Sequence, residues 1–192
     1  MSVKRSTVSI GLVGDPQVGK TSLATMLCFG TVPSEYEPTI DDLYTSIVSG
    51  TTVEVLDTSS SQSEPEKTMR KLAIKQCDCI LMVYNTYNPN SAEQLILHLE
   101  EIRSIFDWVE IPQLPLVLCV AGVQTDAKLN GECALQIGKD FAETWGLEHI
   151  SIPLERPLVR EAFTFCVKMI EYKQKHLYQM VSSKAQSCCI LL

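Results

Sequence analysis

The chain alternates between short apolar runs and stretches with helical periodicity. Val8-Ser9-Ile10-Gly11-Leu12-Val13 predicts a buried strand, and Ser22-Leu23-Ala24-Thr25-Met26-Leu27 predicts the helix that follows it. Val32 to Ile40 is a polar loop punctuated by Pro33 and Pro38. Tyr44 to Val48 and Thr52 to Leu56 flank Ser49-Gly50-Thr51 and predict a hairpin, the antiparallel edge of a sheet. Asp57 to Glu66 is Ser-rich and aperiodic, which predicts a mobile loop, and Met69 to Lys75 predicts a short helix. The wholly apolar Cys79 to Tyr84 predicts an interior strand, as does Pro115 to Ala121, with a short last strand at His149 to Ile152. Ser91-x-x-Gln94 has the form of a capping box opening a helix to about Phe106, and Glu132 to Trp145 predicts a helix stopped by Gly146. Phe163, Val167, Ile170 and Leu177 recur at helical spacing in a long terminal helix from about Val159 to Val181.

Strand and helix thus alternate throughout. The prediction is an α/β fold: a mainly parallel six-stranded sheet with one antiparallel edge strand and helices on both faces. No repeat divides it, so residues 1–181 are expected to form one domain and 182–192 a tail. With 192 residues, 45% of them hydrophobic, there is enough chain for a substantial core. Net charge is −7, from 16 Lys and Arg against 23 Asp and Glu, which argues against a general nucleic-acid binder and against unaided adhesion to anionic lipid. Lys4 and Arg5 precede no apolar segment of signal-peptide type, and no run approaches the length of a spanning helix. The eight cysteines are scattered and expected to be reduced. Cys77 and Cys79 are expected on one face of a strand as core thiols, since His98, His149 and His176 have no zinc-ligand spacing relative to them.

Between the first strand and helix lies Gly14-Asp15-Pro16-Gln17-Val18-Gly19-Lys20-Thr21, the G-x-x-x-x-G-K-T phosphate-binding loop, followed by Ser22. Its strand–loop–helix context is the one the chemistry needs. Successive main-chain N–H groups form an anion nest, and the helix dipole adds partial positive charge. Lys20 is expected at the β- and γ-phosphates and the Thr21 hydroxyl on Mg²⁺.

This loop followed by Glu35-Tyr36-Glu37-Pro38-Thr39-Ile40-Asp41-Asp42 resembles the Ras family of small GTPases, in its Ras, Rap and Ral-like branch, and so does Leu56-Asp57-Thr58 after the hairpin. The resemblance covers nearly the whole chain and implies the small-GTPase form of the P-loop NTPase fold, with GTP or GDP and Mg²⁺ as cofactors. It implies that Thr39 closes over Mg²⁺ and the γ-phosphate, that Asp57 holds Mg²⁺ through water, and that Tyr36 folds over the phosphates. Glu35 to Tyr44 would then meet effector proteins, by a surface suited to pairing with a partner strand, and an exchange factor is a further implied partner.

The departures from the family pattern are as informative. The family's D-x-x-G-Q is here Asp57-Thr58-Ser59-Ser60-Ser61, with Ser60 in place of a γ-phosphate-contacting glycine and Ser61 in place of the glutamine that orients water. Gln62 is one residue out of register. Pro16 stands where most relatives have glycine, in the path of an activating arginine, so slow hydrolysis is expected and no catalytic residue is assigned. The base-recognition motif N-K-x-D is reduced to Val123-Gln124-Thr125-Asp126, leaving Asp126 as the base-binding candidate. Nothing of S-A-K survives at Pro153-Leu154-Glu155, and Val32 replaces an aromatic ring. Four lost contacts predict guanine affinity lower by about 10³–10⁴ at most.

The ending Cys188-Cys189-Ile190-Leu191-Leu192 is a C-a-a-X box with terminal Leu, which predicts geranylgeranylation of Cys189. One lipid binds marginally, so palmitoylated Cys188 is the expected second anchor, placing the protein on the cytoplasmic face of a membrane, the plasma membrane by preference. Two readings follow: a tethered Ras-like protein that binds GTP and hydrolyses it weakly, or a pseudo-GTPase scaffold that does not cycle nucleotide. A P-loop kinase or ATPase of another class is disfavoured by the Glu35–Asp42 stretch and the terminal cysteines.

Overall fold

A computed structural model describes residues 7–34, 42–60, 63–125 and 132–188, with side chains placed up to 176. Its strands are β1 (Thr7–Val13), β2 (Asp42–Val48), β3 (Thr51–Asp57), β4 (Cys79–Asn85), β5 (Val117–Gln124) and β6 (Glu148–Pro153). They form one sheet in the order β2-β3-β1-β4-β5-β6, in which only β2 and β3 pair antiparallel. The helices are α1 (Lys20–Cys28), α2 (Glu64–Ile74), α3 (Pro89–Glu93), α4 (Leu95–Ile105), α5 (Glu132–Trp145) and α6 (Arg156–Cys188). Among the described residues no helix is long and apolar enough to cross a membrane.

Strand periodicity divides the interior into two cores. In β4, Leu81 and Val83 face one side, where Leu23 and Leu27 of α1 and Phe163 and Val167 of α6 cover them. Ile80, Met82 and Tyr84 face the other, against Leu95, Leu99 and Ile102 of α4 and Ala134 and Ala142 of α5. A strand buried on both faces has no polar side to show, which is why β4 and β5 read as continuous apolar runs.

Several elements differ from the sequence expectation, each for a local reason. α2 begins at Glu64, inside the stretch expected to be loop, because Pro65 and two acidic residues suit a first helical turn. Ser91 is not a cap: Asn88 holds the N-cap position with Pro89 behind it, and Ser91 is buried within α3. Its Oγ accepts from the Asn85 amide at 3.1 Å and donates to the Asn88 carbonyl at 2.7 Å, so the hydroxyl ties β4 to the helix. The helical stretch is also broken at Gln94, and α4 ends at Ile105. Cys77 and Cys79 lie on opposite faces, in the α4-side and α1-side cores respectively. The Cys77 amide donates to the Ile74 carbonyl in the turn that closes α2, so strand alternation does not reach back to it. α6 is longer than expected at both ends, starting at Arg156 and ending at Cys188.

One polar pair sits within the α4-side core. The Tyr84 hydroxyl lies 2.8 Å from Nε2 of His149, and the ring fits only because Gly138 of α5 has no side chain, since a Cβ there would fall 2.3 Å from the Tyr84 hydroxyl. Burial, with Lys139 nearby, pushes the His149 imidazole down from 6.5 to about 4. Between those values the unfolded chain binds a proton that the folded protein refuses. The stability present above pH 6.5 is therefore lost progressively toward pH 4, by about 1–2 kcal/mol once partial exposure is allowed for. His149→Gln keeps a partner for Tyr84 and cannot titrate. Urea unfolding should show the native protein losing more than this variant over that range, and equal losses would contradict the assignment.

Candidate functional site

β1 delivers the phosphate-loop motif to the end of the sheet between β3 and β4, where helices leave toward opposite faces and a crevice opens. The loop is seated from below by Val18, which is 2% exposed, and by Gly14, whose α-carbon lies close to the Val83 carbonyl of β4. Pro16 and Gln17 stand exposed on its outer rim. Gln17 has φ +61°, a left-handed conformation unfavourable for a residue with a β-carbon. Gln17→Gly is therefore expected to stabilise the protein by about 1 kcal/mol, read as a raised urea midpoint; an unchanged midpoint would remove the inferred strain.

Lys20 opens α1 and is 7% exposed. Its Nζ donates to the Gly14 and Asp15 carbonyls, both at 2.8 Å, closing the loop on itself. Burial pushes this ammonium down from 10.5 to about 8, against the opposing pull of Asp57 and Asp15. Next along the helix, the Thr21 hydroxyl donates to Asp57 Oδ2 at 2.6 Å, and Asp57 is fully buried at the end of β3. Thr58 then turns inward, its hydroxyl donating to the Leu12 carbonyl at 2.7 Å. The result is a cleft of about 400 Å³ whose walls include Gln17, Lys20, Thr21, Thr58, Ser60 and Thr125.

The cleft fits a nucleoside phosphate. Lys20 provides a desolvated cation, the loop a cradle that a β-carbon at Gly14 would fill, and the Thr21–Asp57 pair two hard oxygen donors of the kind Mg²⁺ prefers. The end expected to hold a base is built differently. Val123 is fully buried and packs against the loop, since a β-carbon on Gly19 would meet its Cγ1 at 3.0 Å. The Val123 carbonyl accepts from the Thr86 amide at 3.0 Å, so the residue belongs to the core. Gln124 Nε2 reaches the Ser151 hydroxyl at 3.4 Å, and Val32 is 46% exposed.

Of the residues singled out in the sequence, Gly14 to Ser22 and Asp57 come together here. Tyr36, Thr39, Ser61, Asp126 and Cys189 lie outside the described residues, as does Glu35 to Asp41 of the effector segment. Cys188 ends α6, its side chain beyond those described. Thr58, Ser60 and Thr125 were not singled out as binding residues, yet they border the cleft.

A second group was also missed. On α4, His98 Nε2 lies 2.9 Å from Asp15 Oδ1 of the phosphate loop. One turn on, Glu101 Oε1 accepts from Arg70 Nη2 at 2.8 Å, while Arg70 Nη1 donates to the Ser59 carbonyl at 2.9 Å. Their i, i+3 spacing is visible in the sequence, but nothing in it names partners so far along the chain.

Comparison with known proteins agrees with this arrangement. The model of the Ras family matches residues 9–172. The chain is similar to three proteins of Dictyostelium discoideum. It is 26% identical over 169 residues to Ras-like protein rasX, covering 86% of this chain and 77% of that one. It is 26% identical over 172 residues to Ras-like protein rasW, at 88% and 77%, and over 180 residues to Ras-like protein rasZ, at 92% and 82%. With the strand order, the phosphate loop and the Thr21–Asp57 pair in place, the match over most of its length makes this chain a member of the Ras family of small GTPases.

Proposed function

We propose that this protein is an atypical, membrane-tethered Ras-like signalling protein that binds GTP with Mg²⁺, hydrolyses it slowly and recruits effectors through Glu35 to Tyr44. Ras-family proteins in general bind GTP or GDP with Mg²⁺, meet effectors and exchange factors, and are often held at membranes by lipid anchors. The observation that carries the reading is the pairing of a desolvated Lys20 with the Thr21–Asp57 oxygens in one cleft. Bound Mg²⁺ would neutralise phosphate charge there. Lys20 would leave its two loop carbonyls for phosphate oxygens, while Thr21 and Asp57, with Thr39, would supply the ligands. Ser60 and Ser61 leave the attacking water without its usual orienting side chain, and Pro16 stands at the rim an activating arginine would cross, so turnover is slow. Asp126 is the remaining base ligand. Residues 1–181 serve as the nucleotide domain and 182–192 as the lipidated tail.

A second reading, a scaffold that does not cycle nucleotide, draws on Val123, which is built into the core where the family places a base-contacting amide. Purification without added nucleotide, denaturation and chromatography of the released small molecules separate the two. Stoichiometric GTP supports the first reading with slow turnover, and GDP shows that turnover persists. An empty protein that also ignores added GTP and Mg²⁺ sinks it in favour of the scaffold. For the anchor, Cys189→Ser is expected to move the protein from the membrane to the soluble fraction of a cell lysate. Unchanged fractionation would remove that part.

A further inference from the structure

β2 ends the sheet, so among the described residues one side of its main chain has no neighbouring strand. The hairpin dictates which groups point there. Val48 and Thr51 flank a two-residue turn, Ser49-Gly50, whose φ values of +51° and +78° are those of a type I′ turn. Residues flanking such a turn exchange both ladder bonds, and the pattern alternates along the pair. Asp42, Tyr44, Ser46 and Val48 therefore turn their amides and carbonyls toward β3, while Leu43, Thr45 and Ile47 turn theirs outward.

Two of those three outward carbonyls already have donors from the helical layer. Arg160 Nη2 of α6 donates to the Ile47 carbonyl at 2.8 Å, and Cys28 Sγ of α1 donates to the Thr45 carbonyl at 3.5 Å. Burial pushes the Cys28 thiol up from its ordinary range, which keeps its proton in place. Ser49 Oγ, 3.3 Å from Thr164 Oγ1, fixes the turn to α6 as well. Among the described residues no donor reaches the Leu43 carbonyl. The side chains show no such asymmetry, for Leu43 and Ile47 are exposed to similar extents, 62% and 66%. An edge with two exposed apolar side chains invites strand addition unless its main chain is covered.

We propose that Cys28 and Arg160 close the Thr45–Val48 end of β2 to strand addition, shutting out edge-to-edge pairing with a second copy of this chain. An incoming strand of a second copy would have to displace a guanidinium and a thiol to bond at Thr45 and Ile47.

The test is sedimentation velocity of the full unlipidated chain over a wide concentration range, with amide hydrogen exchange read at Leu43, Thr45 and Ile47. Cys28→Ala with Arg160→Met removes both donors and keeps the aliphatic stem, while Arg160→Lys retains a donor. The native protein and Arg160→Lys should stay monomeric. The double variant should self-associate at least about tenfold more strongly, with those three amides gaining protection as concentration rises. If it melts early, Arg160→Met alone is expected to show a smaller shift in the same direction. A variant that stays monomeric with native exchange overturns the proposal, as does self-association that leaves those amides unprotected.

Discussion

Lys20→Met is expected to weaken nucleotide binding by about a hundredfold while leaving the nucleotide-free protein no less stable at neutral pH. The binding loss would follow from removing the buried cation proposed to reach phosphate. The stability claim follows from what Lys20 does before a phosphate arrives. It is almost fully buried, satisfied by two carbonyls at 2.8 Å, and its charged form is disfavoured enough to bring its pKa down to about 8. The folded value lies below the unfolded 10.5, so the unfolded chain holds more protons between the two. Stability from this group is present above pH 10.5 and lost as pH falls to 8, and at neutral pH the full penalty, about 3 kcal/mol at most, is in force. Methionine removes the charge and keeps the length. It also leaves two carbonyls without their donor, which offsets part of the gain at about 1 kcal/mol each. Fluorescent-nucleotide titration and thermal melts from pH 7 to 10.5 check both halves. The native protein should gain stability relative to Lys20→Met as pH rises. A variant that melts well below the native at pH 7, or that binds nucleotide equally well, would show that the lysine is structural.

Gly14→Ala should unfold the protein or destabilise it by at least about 3 kcal/mol. A β-carbon at this position would sit 2.2 Å from the Val83 carbonyl and 3.1 Å from Val18 Cγ2. The first is main chain in a strand paired on both sides, so it cannot turn away as a flexible side chain would. Relief would require pushing the phosphate loop off the sheet, and that takes the cleft with it. Gly50→Ala is the informative comparison. Gly50 has φ +78° but open space where a β-carbon would go, so only the conformational penalty of about 1 kcal/mol applies. Urea unfolding of both variants measures the gap between steric exclusion and backbone preference. Comparable losses would mean that the loop has room to move.

These two residues belong to a motif legible in the sequence because it is local: strand, loop and helix are contiguous. The sheet was legible for the same reason, since β4 and β5 announce burial on both faces by having no polar side. Failures arose where a neighbouring turn or a distant contact overrides the simple spacing. Ser91 has the spacing of a cap, but Pro89 starts the helix earlier and the hydroxyl is drawn to Asn85. Cys77 has strand spacing to Cys79, but the turn closing α2 rotates it to the other face. His98 lies 83 residues from Asp15, and Arg70 lies 31 from Glu101, separations at which periodicity says nothing. The contacts of α4 with Asp15 and Arg70 were therefore out of reach, as was the core role of Val123, which the sequence suggested only as a missing amide.

The two contacts made by α4 have a mechanical side. His98 holds the side chain of Asp15, whose carbonyl Lys20 also grips, and Glu101 holds Arg70, which grips the main chain at Ser59 just beyond Asp57. The arms of this linkage leave one rigid rod within a single turn, and they end on the two jaws of the cleft. Sliding or rolling that rod by an ångström would drag both jaws in step, as a vice moves on one screw. The positions of Asp15 and of the Ser59 main chain are thus referenced to one turn of one helix.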